Sequence, residues 1–245
     1  MINVIALARQ VKLENEKISD SGSQADIKCD FTAIEAAVRL KETTDCNVSA
    51  IIMGYEKTAL SQARDAVAMG CDFARAICAR ELDKLDVWGC ARAFIQAIGD
   101  EKYDLIISGG FPVDADTVSI GLLTAAMAEL PFVTSVDKIS ASEKFIVADR
   151  KTEGKIQRLE IALPCLVSAL PHPEAPVYKT VSGINKAYSQ EITEEFLDFP
   201  TYENKAAVCA EHKMEARKRG SMLTAVSTEE AVDAMLEKIT TAHLL

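Results

Sequence analysis

The chain has 245 residues, of which 49% are hydrophobic and 26% are charged, as is typical of one large globular domain or of one domain with an appendage. Its net charge of −10 at pH 7 argues against binding along a nucleic-acid backbone and against adhesion to an anionic membrane surface. The N-terminal residues do not resemble a signal peptide and no apolar run reaches the ~18 residues that cross a bilayer, so we expect a cytoplasmic protein without membrane insertion.

Apolar runs alternate with helical patterns over roughly the first half of the chain. The runs predict strands at 2–8, 48–53, 73–78 and 104–108, and the helical patterns predict helices at 32–42, 57–69, 86–98 and 119–129. Thr32 and Glu35 have the spacing of a capping box. Alternation with short links predicts a parallel sheet covered by helices on both faces, which is a three-layer, Rossmann-like α/β fold.

The pattern changes after residue 131. Short strands are predicted at 132–139, 145–151, 156–163 and 165–169, and their alternating residues favour an antiparallel ribbon. Residues 171–200 hold four of the seven prolines and are predicted to be irregular, whereas 228–239 fits an amphipathic helix. We therefore divide the chain into an α/β domain at 1–195 and a C-terminal arm at 196–245, which packs on a partner subunit or on the parent domain.

The segment from Gly109 to Gly121 is the candidate for chemistry. It follows a predicted strand and leads into a helix, and ligands of open α/β sheets bind beyond the carboxyl ends of the strands. Free N–H groups at a helix start bind phosphate, and the hydroxyls of Thr117 and Ser119 are placed to add to them. The segment is neither a Walker loop nor a G-x-G-x-x-G motif, so a nucleotide site and an ordinary loop both remain open.

Neither a catalytic set nor a metal site is predicted. The chain lacks Gly-x-Ser-x-Gly and His-Glu-x-x-His, and Asp114 and Asp116 fit turn formation and helix capping better than acid–base work or magnesium binding. The seven cysteines are odd in number and none are spaced as Cys-x-x-Cys. We expect buried free thiols in a reducing compartment and no structural zinc.

Four ordered motifs resemble the β subunit of electron transfer flavoproteins. They read AIEAAVRLKE at 33–42, AVAMGCD at 66–72, DLIISGG at 104–110 and VDADTVSIG at 113–121, and the stretch 148–168 is similar to the signature of the family's antiparallel ribbon. The agreement in order and spacing extends over about residues 1–188. Ala115, Ser119 and Leu122 depart from the usual residues, as does Ile27-Lys28, so the chain resembles a diverged member.

This resemblance implies a heterodimer with a fold of the adenine-nucleotide-binding type. The α subunit of the family holds the redox FAD, while the β subunit binds AMP or, in electron-bifurcating members, a second FAD that takes electrons from NADH. The pair passes electrons between acyl-CoA dehydrogenases or similar flavoenzymes and another carrier, so the chain would be a carrier subunit rather than an enzyme by itself. Two alternatives remain open: a stand-alone adenine-nucleotide-binding or sensing protein, and a related hydrolase or synthetase.

The resemblance also implies two sets of site residues. One stretch of the family carries a leucine that anchors in a pocket of the partner dehydrogenase; here that position is Val181, and Ile184 lies one turn further on. The nucleotide would contact Leu7, Cys29, Asp30, Met53, Asp116, Thr117, Val118, Ser119, Ile120, Gly121, Leu122 and Leu123.

Overall fold

A computed structural model describes residues 1–12, 27–79, 82, 85–110, 117–172, 176–196, 205 and 227–241. The chain divides into two compact units, Met1–Ala207 and Val208–Leu245. The described helices are α1 (Thr32–Leu40), α2 (Glu56–Met69), α3 (Val87–Ile98), α4 (Thr117–Met127) and α5 (Val181–Ser189) in the first unit, and α6 (Thr228–Thr241) in the second. The described strands are β1 (Ile2–Lys12), β2 (Ile27–Cys29), β3 (Cys46–Tyr55), β4 (Phe73–Ala79), β5 (Leu105–Gly109), β6 (Phe132–Ala141), β7 (Phe145–Thr152), β8 (Lys155–Ala162), β9 (Cys165–Ala169) and β10 (Thr193–Phe196).

The described strands join into one sheet in the order β10-β4-β3-β1-β5-β9-β6-β7-β8, and β2 pairs with the end of β1. The neighbours from β10 to β6 are parallel, whereas β6, β7 and β8 form an antiparallel ribbon. Helices cover both faces of the parallel part. The predicted three-layer α/β fold with an antiparallel ribbon is therefore confirmed.

The side chains of the central strand β1 pack in two separate cores. Val4 and Ala6 pack in the core that contains residues of α1 and α2, while Ile5 and Leu7 pack in the core that contains residues of α3 and α4. All four side chains are buried. Because both faces of the strand are covered, its sequence is a continuous apolar run rather than an alternating one.

Helix α1 begins differently from the prediction. Its N-cap is Phe31 rather than Thr32, and the N–H of Glu35 donates to the Phe31 carbonyl at 2.9 Å. Asp30 Oδ1 accepts a hydrogen bond of 2.9 Å from the backbone N–H of Thr32. The aspartate lies two residues ahead of the N–H, which is the spacing of an Asx turn, so this local bond satisfies the first helical donor instead.

The region predicted to be irregular contains regular structure. Helix α5 starts where the Thr180 hydroxyl accepts a hydrogen bond of 2.9 Å from the N–H of Gly183, and β10 then adds an edge strand beside β4. The prediction was wrong here because the prolines lie before residue 177 or at residue 200, outside both elements. Ala187 is the one buried residue of α5, so the helix has little apolar periodicity.

Five cysteines of the described part of the chain are buried and form no disulfide, as predicted: Cys46, Cys71, Cys78, Cys90 and Cys165. Burial raises the pKa of the Cys71 thiol and of the Cys165 thiol to about 12. These two side chains therefore stay protonated near neutral pH and act as small apolar core residues.

The side chain of Asp72, in the turn between α2 and β4, connects several elements. Lys41 Nζ lies 2.8 and 2.7 Å from its two carboxylate oxygens, and the N–H of Val48 donates to Oδ2 at 2.8 Å. Helix α5 is tied to the same turn, because Gln190 Nε2 donates to the Asp72 carbonyl at 3.2 Å and Lys186 Nζ donates to the Cys71 carbonyl at 3.3 Å. Burial raises the pKa of Asp72, but the bonds from Lys41 and Val48 outweigh it and hold the pKa below its usual value.

Replacement of Asp72 by Asn should make stability less dependent on acid pH. We expect the free energy of unfolding at pH 7 to fall by about 1–2 kcal/mol, since a charged acceptor of three hydrogen bonds is lost from a partly exposed site. The folded pKa lies below the unfolded value of about 3.9, so the stabilisation exists above that pH and disappears as pH falls through the folded pKa.

Urea unfolding of both proteins from pH 7 to pH 3 measures this difference. Asp65→Asn is the matched control, because it removes an ion pair with the half-exposed Lys179 and should change stability by less than about 1 kcal/mol. A gap between the wild type and Asp72→Asn that stays constant down to pH 3 would contradict the assignment.

Candidate functional site

The topology marks one crevice in the sheet. After β1 and the short β2 the chain enters α1, which packs in one core, and after β5 it enters α4, which packs in the core on the opposite face. β1 and β5 are neighbouring parallel strands. Connections that diverge from adjacent strands open a crevice at their carboxyl ends, and that is where open α/β sheets bind ligands.

A small pocket lies at this crevice. Its walls come from the ends of β1 and β5 and from the start of α4, with one side chain of α3: Leu7, Arg9, Phe94, Ser108, Gly109, Ile120 and Gly121. Its volume of about 20 Å³ is enough for a single water-sized group. Residues 111–116, which connect β5 to α4, lie outside the described residues.

Gly121 allows α4 to approach β5 closely. A Cβ atom at residue 121 would lie 2.2 Å from Ser108 Oγ and 2.8 Å from Ser108 Cβ, far inside van der Waals contact. The resemblance implied that Gly121 contacts the nucleotide, and the close approach that the structure contains is to Ser108. The glycine therefore sets the distance between the helix and the strand at this point.

The structure brings several predicted site residues together at the crevice. Leu7, Ile120 and Gly121 line the pocket itself. Met53 is completely buried in the same core cluster as Leu7, and Leu123 packs against that cluster. Ser119 and Leu122 are half-buried in the first two turns of α4.

The remaining predicted contacts are less fully described. Thr117 and Val118 form the first turn of α4, and Cys29 ends β2 opposite Gln10, but the side chains of these three predicted contacts lie outside the description. Asp116 lies outside the described residues.

Asp30 is a buried carboxylate beside the end of β1. Its backbone N–H donates to the carbonyl of Arg9 at 3.4 Å, and its side chain is only 6% exposed. Oδ1 accepts the bond from Thr32, whereas Oδ2 accepts no hydrogen bond from the described part of the chain. Because buried carboxylate oxygens need donors, Oδ2 is suited to accept one from a bound hydroxyl group.

Two residues that line the pocket, Arg9 and Ser108, and the buried Gln10 near the end of β1 were absent from the predicted site. Arg9 and Gln10 were missed because β1 continues to Lys12, four residues past the predicted end. Gln10 is fully buried, and its Oε1 accepts bonds from the Tyr55 N–H at 2.8 Å and the Thr58 hydroxyl at 2.7 Å. Ser108 was read only as part of a strand. Gln10 follows Ala8 at the two-residue spacing of one strand face, and that spacing was the available signal.

A larger groove lies between α1, β6 and the end of β9. Its volume is about 210 Å³, and its walls include Glu35, Arg39, Asp137 and His172. Burial raises the pKa of Glu35, and the positive charge of Arg39 offsets this only in part. The groove lacks the diverging connections of the β1–β5 crevice, so the topology does not identify it as the ligand site.

Neither metal-binding nor membrane-spanning features occur in the described ranges. No group of three or more His, Cys, Asp or Glu side chains among these residues is arranged to hold a metal ion. Of the helices that the structure describes, none has the length and hydropathy needed to cross a bilayer.

Comparison with known proteins identifies related chains. The family model "Electron transfer flavoprotein domain" matches residues 17–198. The electron transfer flavoprotein subunit beta of Bacillus subtilis is 30% identical over 77% of this chain and 74% of its own length. That of Thermoanaerobacterium thermosaccharolyticum is 26% identical over the full length of both chains. The caffeyl-CoA reductase-Etf complex subunit CarD of Acetobacterium woodii is 28% identical over 88% of this chain and 86% of its own.

Replacement of Gly121 by Ala should destabilise the protein. Alanine normally favours a helix by up to ~1 kcal/mol over glycine, but here its methyl group would overlap Ser108, and overpacking of this kind costs about 1–3 kcal/mol. We therefore expect a lower free energy of unfolding in urea. The double variant Ser108→Gly with Gly121→Ala removes the overlapping atoms and should recover much of the loss. Equal effects of Gly121→Ala in the presence and absence of the Ser108 side chain would show that the contact is unimportant.

Proposed function

The chain belongs to the electron transfer flavoprotein β-subunit family, and we propose that it pairs with an α subunit to carry electrons between acyl-CoA dehydrogenase-type flavoenzymes and another carrier. The match over residues 17–198 supports an electron transfer role. The structural observation that carries the proposal is the crevice between β1 and β5, where a predicted nucleotide-binding segment meets the carboxyl ends of the strands.

We propose that an adenine nucleotide binds in this crevice, either AMP or a second FAD, while the α subunit holds the redox FAD. Three features fit such a ligand. The first N–H groups of α4 have no intrahelical acceptors and can bind phosphate. Gly121 carries no side chain at the start of that helix. Asp30 Oδ2 is buried and suited to accept a hydrogen bond from a ribose hydroxyl.

The residues of this chain would bind and orient the nucleotide rather than react with it. Thr117 and Ser119 stand in the first turn of α4, where hydroxyls supplement backbone donors to phosphate. Leu7 and Ile120 supply apolar surface to the pocket, and Met53 packs in the core cluster behind them. The proposed contacts are completed by Cys29, Val118, Leu122, Leu123 and Asp116. A flavin in this place supplies reversible uptake and release of electrons, whereas AMP supplies binding energy alone.

The partner flavoenzyme is proposed to act on a CoA thioester. One relative is named as a subunit of a caffeyl-CoA reductase-Etf complex, and its likeness extends over 88% of this chain. This supports a reductase or dehydrogenase of acyl-CoA-type substrates as the electron partner. With a second FAD in the crevice, NADH would be the electron source in a bifurcating complex.

We propose that α5 is the docking surface for that flavoenzyme. Val181 and Ile184 are one helical turn apart, and their exposed fractions are 78% and 40%. Tyr188 extends the same stripe by a further turn and is 75% exposed. A short apolar stripe that the described residues leave exposed fits a transient contact, which has to separate after each transfer.

The C-terminal arm is proposed to pack on the α subunit. In the described part of the second unit, no residue of α6 is buried. Val232, Met235 and Leu236 lie at the spacing of one helix face and are each about half exposed. An amphipathic helix with an open apolar face is suited to pack against another chain.

Co-expression with a family α subunit tests the proposed function. We expect a yellow heterodimer, and mass spectrometry of the denatured supernatant should identify either one FAD with one AMP or two FAD per complex. Asp30→Ala should lose the nucleotide of this chain and keep the α-subunit FAD. A colourless monomer that hydrolyses ATP would overturn the proposal, and a monomer that binds adenine nucleotides alone would favour the stand-alone alternative.

Changes in the size of the side chain at residue 181 test the proposed docking surface. Val181→Ala removes two methyl groups, and at ~0.8 kcal/mol per buried carbon we expect the apparent KM for the flavoenzyme to rise roughly tenfold. Val181→Leu restores the leucine of the family and should lower the apparent KM for the flavoenzyme. Ser182→Ala, on the neighbouring helix position, is the control. Unchanged electron transfer rates across partner concentrations in both Val181 variants would show that α5 is not the docking site.

Deletion of residues 228–245 tests whether the C-terminal arm packs on the α subunit. We expect weaker heterodimerisation in analytical ultracentrifugation, with the thermal unfolding of the first unit unchanged. Loss of the whole fold in the truncated chain would instead place the arm on its parent domain.

A further inference from the structure

Two serines at the same level of the sheet have different surroundings. Ser108 in β5 and Ser168 in β9 are register partners, and their exposed fractions are 4% and 0%. Ser168 Oγ donates to the carbonyl of Gly109 at 3.3 Å. Ser108 Oγ is also buried, but it has no hydrogen-bond partner within the described residues. Since buried hydroxyls are normally paired, this one indicates a group that the described residues do not supply.

The surroundings of Ser108 define what that group is. Ser108 lines the pocket at the β1–β5 crevice, and the guanidinium-bearing side chain of Arg9 lines the same pocket from β1. The start of α4 forms a third wall, and the absence of a side chain at Gly121 leaves Ser108 Oγ directly against the helix. A hydroxyl donor, a cation and the positive end of a helix dipole all favour an anionic acceptor.

The size of the pocket restricts the anion further. A volume of about 20 Å³ accommodates one oxygen atom, not a ring or a whole phosphate. An anion at the crevice could therefore place one oxygen atom in this pocket, with the rest of the anion outside it.

We propose that Ser108 is a phosphate-binding residue of the nucleotide site, whose hydroxyl donates to a phosphoryl oxygen while Arg9 faces the same oxygen from β1. This inference rests on the proposed function, because it names which strand residues recognise the phosphate of the proposed nucleotide. It adds two groups from the sheet to those expected from α4. Because a strand is more rigid than a loop, these groups fix the position of the phosphate relative to the sheet.

The test compares AMP with adenosine, which lacks the phosphate. AMP is also part of FAD, so the same probe serves whichever nucleotide binds naturally. Purified heterodimer is freed of the nucleotide of this chain, and both compounds are titrated by calorimetry. We expect Ser108→Ala to weaken AMP binding about tenfold, as for loss of a charge-assisted hydrogen bond, and to leave adenosine binding unchanged. Ser108→Cys replaces the hydroxyl by a somewhat larger thiol that is a poor donor, and it should also weaken AMP binding.

Two further variants separate this role from packing. Ser168→Ala removes a buried hydroxyl from the partner position and should leave the affinities for both compounds unchanged. Arg9→Gln should weaken AMP binding and reduce its dependence on salt, again without an effect on adenosine. Equal loss of AMP and adenosine affinity in Ser108→Ala, or no loss of either, overturns the inference while the nucleotide site stands. Failure of the wild type to bind any adenine compound overturns the nucleotide site itself, and this inference with it.

Discussion

The double pairing of β1 is the constraint on which the rest of the first unit depends. This strand is hydrogen-bonded to β3 on one edge and to β5 on the other, and its side chains fill both cores. With both edges and both faces occupied, β1 cannot shift register without exposing a whole row of apolar side chains. The carboxyl ends of three strands are therefore held together, and the crevice between β1 and β5 follows from the direction in which the connections leave.

The parts of the fold that the sequence predicted well are those in which burial is strong and local. The strands from β3 to β5 and the helices from α2 to α4 were located to within about two residues, because apolar runs and helical spacing coincide there. Helix α5 was missed since it buries only Ala187, so that capping and contact with α2 determine it rather than periodicity. The end of β1 was missed because Arg9 and Gln10 are polar, although Gln10 is fully buried through side-chain hydrogen bonds.

The candidate site was predictable in part for the same reason. Leu7, Ile120 and Gly121 belong to segments whose position follows from the motif order, and they meet at the pocket. The contact between Gly121 and Ser108 joins residues of a helix and a strand, and no local pattern indicates it. Likewise, the orientation of Asp30, with one oxygen on Thr32 and the other buried, is a property of the packed structure rather than of the residue type.

The attachment of α5 has a mechanical consequence. The helix is joined to the turn at Cys71 and Asp72 by two side-chain hydrogen bonds, and Asp72 is in turn bonded to β3, the strand next to β1. Gly183 also approaches the Ala68 carbonyl so closely that a Cβ would lie 2.3 Å from it. The exposed stripe and the crevice thus belong to one hydrogen-bonded unit, and a protein bound at α5 would lie at a set distance from a ligand in the crevice. In the proposed complex, the movement that brings redox centres together would therefore fall to the other members, with this chain as their support.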